Sequence, residues 1–394
     1  MRVVRLRLHA FRNHSESLLR FDEGPVVVCG PNGAGKTGVL EAVHLLATGS
    51  SFRTSDLDIL VSTGAERALV EAEMELAGER SVRIGAALGD VSPARRWMLN
   101  GTPRPRHSDV ALLRAVVFAP DDLRLVKGGP SERREFLDDA LVSVKPRTVA
   151  VVGDYQRVLK QRNALLRSLK GSRAGHVPPA LDTWTEMLSD KGADLVVERV
   201  QLLQRLAPRI AAAVQELSGE EAGSGYSPSW DRAAHAGALD HLVDREAVRA
   251  GLAHELATRF REEIDRGVTL VGAHRDDVAL TFAGRDVRTH ASQGEQRVVS
   301  LALRLAHLGV LGEVADDPPV LLLDDVFSEL DPERRARLLD QLPRGAQTFL
   351  TTTSDADAGG MPAEVAAALD ASGLDGGVTP QVVRVVGGKV FDGA

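Results

Sequence analysis

At 394 residues the chain exceeds what one hydrophobic core usually organises, which excludes a single small fold and points to two or three domains, or one domain with a large insertion. Hydrophobic residues make up 43% and charged residues 26%, and no charge-free apolar run approaches the ~18 residues of a membrane span, so a soluble protein is expected. The net charge of -7 excludes a uniformly basic nucleic-acid coat, and the single cysteine, Cys29, excludes an internal disulfide. Met1-Arg2-Val3-Val4-Arg5 lacks the apolar core of a signal peptide, so a reducing cytoplasm is the expected compartment. The charge is unevenly spread: Leu141 to His176 holds eight Lys or Arg against Asp154 alone, and Met1 to Arg20 five Arg against Glu16 alone.

In chain order, Val3 to Leu8 alternates partly like a strand, and Pro25-Val26-Val27-Val28-Cys29 is the short apolar run of a buried parallel strand. A glycine-rich turn then opens a helix. Ala68 to Leu88 reads as antiparallel strands, Asn100-Gly101 as a hairpin turn, and Ala115 to Phe118 as a further strand closed by Ala119-Pro120. After Gly128-Gly129-Pro130, with Ser131 as N-cap, helical periodicity runs to Leu169, resumes from about Asp182 to Leu217, and again from about Arg245 to Arg266. Sheet-like sequence returns at Val268, and Val320 to Leu323 is a second buried-strand candidate. These signals predict an α/β head from residues 1–130 and 267–394, interrupted by a helical arm at 131–266.

Three motifs carry chemistry. Gly30-Pro31-Asn32-Gly33-Ala34-Gly35-Lys36-Thr37 fits the phosphate-loop pattern between a strand and a helix: glycines let successive N–H groups face phosphate oxygens, Lys36 reaches the β and γ phosphates, and Thr37 can ligate Mg²⁺. Val320-Leu321-Leu322-Leu323-Asp324-Asp325 puts two acids at the carboxyl edge of a sheet, Asp324 for Mg²⁺ and Asp325 for positioning or deprotonating the attacking water. Ser292-Gln293-Gly294 opens a helix and is a second anion-binding turn, suited to the nucleotide of another subunit. Taken singly, the acids could be an acidic turn and the serine an ordinary N-cap; the order of the elements, ending in Phe327-Ser328-Glu329-Leu330-Asp331, favours the nucleotide reading. The expected catalytic residues are therefore Lys36, Asp324 and Asp325, with Gly30 to Thr37, Ser292 and Gly294 binding nucleotide, and Thr37 and Asp324 the metal.

This order, with Phe11-Arg12-Asn13, Phe118-Ala119-Pro120-Asp121-Asp122, Arg133-Arg134-Glu135-Phe136-Leu137-Asp138 and His274-Arg275-Asp276-Asp277, resembles the ATP-binding-cassette heads of chromosome-maintenance and recombination proteins, and within them the bacterial recombination mediators. The resemblance implies a mixed sheet with flanking helices, ATP and Mg²⁺ as ligands, a homodimer closed by ATP on duplex or junction DNA, slow DNA-stimulated hydrolysis, and work with RecR and RecO in loading the strand-exchange protein during DNA repair, replication restart and the SOS response. Gly38, Ala34 and Glu295 depart from the usual pattern, and threonines at Thr351 to Thr353 replace the histidine of many cassettes. Glu295 is the consequential departure, because a carboxylate there would repel another subunit's γ-phosphate. Rival readings are a membrane-transporter ATPase subunit, a small-molecule kinase and a DNA clamp without turnover; the helical insertion argues against the first, the serine turn against the second, the paired acids against the third.

Overall fold

Two strand runs, Val26–Cys29 and Val320–Leu323, are buried at every residue, the condition of parallel strands covered on both faces. The computed structural model that places them describes residues 1–54, 56–78, 80–89, 95–170, 178–231, 240–326, 330, 332–353, 365–367, 369 and 379–392. In chain order the elements are β1 (Arg2–Phe11), β2 (His14–Arg20), β3 (Val26–Cys29), α1 (Lys36–Thr48), β4 (Arg67–Leu76), β5 (Arg80–Gly89), β6 (Arg95–Leu99), β7 (Thr102–Arg104) and β8 (Ala115–Phe118). There follow α2 (Leu123–Lys127), α3 (Pro130–Val144), α4 (Thr148–Leu169), α5 (Pro179–Ser218), β9 (Ala222–Ser227), α6 (Arg245–Thr258), α7 (Phe260–Arg266), β10 (Asp277–Phe282), β11 (Arg285–Asp286), α8 (Val287–His290) and α9 (Gln293–Val314). The chain ends with β12 (Val320–Leu323), α10 (Pro332–Asp340), β13 (Thr348–Thr352), β14 (Gln381–Val386) and β15 (Lys389–Asp392).

The chain forms two units: Met1–Asp122 with His307–Ala394, and Leu123–Ala306. In the first, an antiparallel sheet of order β2-β1-β4-β5-β6-β7 and a mixed sheet of order β15-β14-β3-β13-β12-β8 share one apolar core with α1. Nearly all of α1 is buried, as befits a helix apolar on every side. Register levels the carboxyl ends of the parallel strands: Cys29 of β3 faces Thr352 of β13, and Leu350 of β13 faces Leu323 of β12. The loop after β3, the acids after β12 and the end of β13 therefore meet at one edge, where ligands of such sheets bind.

The second unit is mostly helical but carries its own sheet, β11-β10-β9, and this moves the division away from 130 and 266. β9, Ala-Gly-Ser-Gly-Tyr-Ser, lies inside the expected arm with too little apolar content to read as a strand. It pairs with β10 from Asp277↔Ser227 to Phe282↔Ala222, which holds residues 267–306 in the helical unit. The strand expected at Val268 begins instead at Asp277. The helix placed from Ser131 to Leu169 is two helices interrupted at Lys145-Pro146, since proline cannot donate within a helix. Its cap is Gly129 and not Ser131, with Pro130 at the first helical position, where its missing N–H costs nothing. The run from Arg245 to Arg266 likewise divides at Arg259.

Candidate functional site

The loop after β3 closes over the N-terminus of α1. Gly30 is required by close approach, because a Cβ there would lie 2.1 Å from the Val385 carbonyl oxygen; Gly35, at φ +117, caps α1 in the left-handed region. Lys36 folds back and donates from Nζ to the Gly30 and Pro31 carbonyls at 2.8 and 3.0 Å. Burial pushes its ammonium pKa down, against the pull of Asp325 and Asp324. Its ammonium thus already lies within the loop.

Thr37, Asp324 and Thr351 converge. Oδ1 of Asp324 accepts from Thr37 Oγ1 at 2.9 Å and from Thr351 Oγ1 at 2.8 Å, with the residue 6% exposed. Burial raises the Asp324 pKa, and the two threonine hydroxyls oppose that rise. Asp325 follows at φ +48, in the left-handed region that costs a non-glycine residue strain, and its N–H donates to Thr351 Oγ1 at 2.8 Å. Thr37, Asp325 and Thr351 border a cavity of about 470 Å³ lined also by Asn32 to Lys36, Arg12, Asn13, Arg53, Ile59 and Thr63, and Asp324 is tied to it through its bonds to the two threonines. A backbone-amide loop, a lysine, and a hydroxyl beside a carboxylate form the donor set for a polyphosphate with a hard divalent cation.

Several residues in this cavity escaped sequence reasoning. Arg12 sits at φ +54 and forms a two-point ion pair with Glu41 at 2.7 and 2.8 Å, the carboxylate being fully buried in α1. Only the run Phe11-Arg12-Asn13 hinted at it. No local signal ties Arg53, Ile59 or Thr63 to the phosphate loop.

The serine turn lies in the second unit and is a capping box: the Ser292 N–H donates to Glu295 Oε2 at 2.6 Å, and the Glu295 N–H reaches Ser292 Oγ at 3.4 Å. That bond to the Ser292 amide holds the Glu295 carboxyl below its ordinary pKa. Gln293 and Gly294 form the first turn of α9, which begins five residues earlier than the Val298 of the sequence reading. His274-Arg275-Asp276-Asp277 joins a local network: Asp276 accepts from Tyr226 Oη at 2.7 Å and the Ser229 N–H at 2.8 Å, Asp277 pairs with Arg133, and Tyr155 Oη meets His274 Nδ1 at 2.7 Å. The basic stretch is partly spent likewise: Arg162 is buried against Glu263 at 2.6 Å and Lys145 pairs with Glu198. Phe327, Ser328, Glu329 and Asp331 lie outside the described residues.

The family description "RecF/RecN/SMC N terminal domain" matches residues 2–365. A "DNA replication and repair protein RecF" of Frankia alni is 41% identical over 372 residues, covering 93% of this chain and 96% of that protein. The chain belongs to the RecF family. A second RecF, from Geobacter metallireducens, is 40% identical over 357 residues, with 90% of this chain and 93% of that one covered. The solved structure "recombination mediator protein RecF-ATPrS in RecFOR pathway" superposes with a TM-score of 0.84 at 28% identity, spanning 100% of this chain and 98% of its own. An Smc head bound to the C-winged helix domain of ScpA, 16% identical with a TM-score of 0.51, shares the fold. The ATP-binding-cassette head expected from the motifs is thus the architecture of the RecF family, and the transporter-subunit alternative has no support in these matches.

Proposed function

We propose that the chain is an ATP-dependent DNA-binding protein of recombinational DNA repair and replication restart, which dimerises on DNA with ATP and helps load the strand-exchange protein. The observation that carries this reading is the convergence of Lys36, Thr37 and Thr351 on one cavity at the carboxyl edge of a parallel sheet, with Asp324 bonded to both threonines. The ATP analogue in the name of the related RecF structure supports ATP as the ligand, and its RecFOR context supports RecR and RecO as partners. This reading puts the protein in the cytoplasm. Thr37 and Asp324 would hold Mg²⁺; the hydroxyl–carboxylate pair suits that cation, which takes its remaining ligands from phosphate and water. The metal, when bound, offsets charge developing on the β and γ oxygens. Lys36 swings from the Gly30 and Pro31 carbonyls to those same oxygens, and Asp325 orients the attacking water.

In the dimer, Ser292 and Gly294 of one chain close over the triphosphate held by Gly30 to Thr37 of the other, the Glu295 charge at the junction opposing that closure, and slow hydrolysis releases the pair. DNA affinity comes from phosphate contacts, with Arg157, Lys160, Arg167 and Lys170 exposed on or just beyond α4 as the candidates. The test measures solution mass with ADP and with ATP, with and without duplex DNA. ATP-dependent dimers are expected, abolished by Ser292→Arg while single-chain ATP binding survives; a monomer under every condition overturns the reading.

A further inference from the structure

The phosphate loop is held from behind as well as shaped from within. The Gly388 N–H, in the turn between β14 and β15, donates to the Ala34 carbonyl at 2.8 Å, and His14 Nε2 lies 3.0 Å from the Gly35 carbonyl oxygen. A carbonyl only accepts, so the hydrogen-bond network assigns the ring proton to Nε2. Burial pushes the His14 pKa down and keeps the ring neutral. The two clamps share Ser17: its hydroxyl lies 3.0 Å from the unprotonated His14 Nδ1 and 3.2 Å from the Gly388 carbonyl oxygen, and its single proton serves one of them at a time. Neither His14 nor Gly388 lines the cavity.

A trans peptide points its C=O and its following N–H in opposite directions. Fixing the Ala34 and Gly35 carbonyls from behind therefore aims the N–H groups of Gly35 and Lys36 the other way, at the N-terminus of α1, where they have no partner within the helix. The clamp has been given room by missing side chains. A Cβ on Gly35 would lie 2.8 Å from His14 Nε2, one on Gly38 3.3 Å from the same ring, and one on Gly388 1.9 Å from the Asn13 carbonyl oxygen. The departure at Gly38 thus has a physical reason.

We propose that His14 and Gly388 are positioning residues for nucleotide binding: they touch no ligand, and they hold the Gly35 and Lys36 amides in the direction a β-phosphate needs. Through Gly388 alone, the C-terminal hairpin on this view supports the phosphate loop. The inference rests on the ATP reading above.

The test titrates full-length protein calorimetrically with Mg-ADP and with Mg-ATP. His14→Leu weakens both about tenfold, the loss of one well-placed hydrogen bond, and His14→Gln, whose amide can reach the Gly35 carbonyl, recovers most of that loss. Gly388→Ala weakens both likewise. Gly387→Ala is the matched control: it has φ +54 in the same turn but nothing within 4 Å of an added Cβ, so it carries backbone strain without displacing the clamp and binds as wild type. At a temperature where each variant is still almost wholly folded, lowered stability alone leaves the dissociation constant unchanged, because apparent affinity falls only with the competent fraction. The clamp is overturned if Gly388→Ala binds as wild type, or if Gly387→Ala falls as far as Gly388→Ala. Should Leu at position 14 prevent folding, the glycine pair still decides. Wild-type protein that binds neither nucleotide, or Lys36→Ala that binds both unchanged, overturns the ATP reading itself.

Discussion

The hydroxyl of Thr351 donates to Oδ1 of Asp324 at 2.8 Å while accepting the Asp325 N–H at the same distance, so one β13 side chain orients both acids. Thr351→Val keeps the shape and removes both bonds. ATP hydrolysis should then fall about tenfold or more, with ATP affinity changed less than about twofold, and Thr351→Ser should restore it. Burial already raises the Asp324 pKa and the threonine opposes that rise. Its loss lets the carboxyl titrate higher still, so the acid limb of the hydrolysis profile should move to higher pH in Thr351→Val. A profile that keeps its position while the rate falls would separate Thr351 from Asp324.

The phosphate loop, the buried strands and the paired acids were legible because each is a local pattern that physics ties to one conformation. What stayed hidden is contact between distant segments. Thr351 was noticed only for not being histidine, since nothing local says that β13 lies beside β12. His14 reaches a loop 21 residues away, and Glu41 in α1 anchors Arg12 across 29. β9 escaped because its glycines and serines carry no apolar period, and only pairing with β10 makes it a strand.

His274 provides a pH test of the second unit. Burial holds its imidazole pKa down to about 4, from an ordinary 6.5, and Tyr155 Oη donates to its unprotonated Nδ1. The unfolded chain takes up the proton at the ordinary value and the folded one resists it. Stability is therefore undiminished above about pH 6.5 and falls as pH drops from there towards 4, by up to ~3 kcal/mol from this residue. Urea midpoints measured across that window should fall more steeply for wild type than for His274→Gln. Parallel curves would refute the assignment.

The basic helix α4 mixes two roles that one experiment can separate. Arg162 and Glu263 are both fully exposed to protein and not to water, so Arg162→Met strands a buried carboxylate and should cost about 3–5 kcal/mol of stability. Pairing it with Glu263→Leu should recover much of that loss. Lys160→Ala and Arg167→Ala, at exposed positions, should leave the urea midpoint alone and instead reduce the slope of log DNA affinity against log salt by about 1 each. If Arg162→Met weakens DNA binding without destabilising the chain, the internal role given to that arginine is wrong.

Glu295 stands where a carboxylate is costly for one task and useful for another. Its bond to the Ser292 N–H completes the cap of α9, while in an ATP-closed dimer its charge would face a triphosphate. Glu295→Gln separates the two, because a glutamine three residues after the serine still completes the box and carries no charge. The variant should keep its urea midpoint within about 0.5 kcal/mol of wild type and dimerise at lower ATP concentrations. Glu295→Ala should also lose the charge but cost about 1 kcal/mol as the cap opens. The signature of repulsion is thus tighter ATP-dependent dimerisation in both variants, with only alanine destabilising. Unchanged dimerisation in both would mean that the serine turn does not meet the partner's nucleotide.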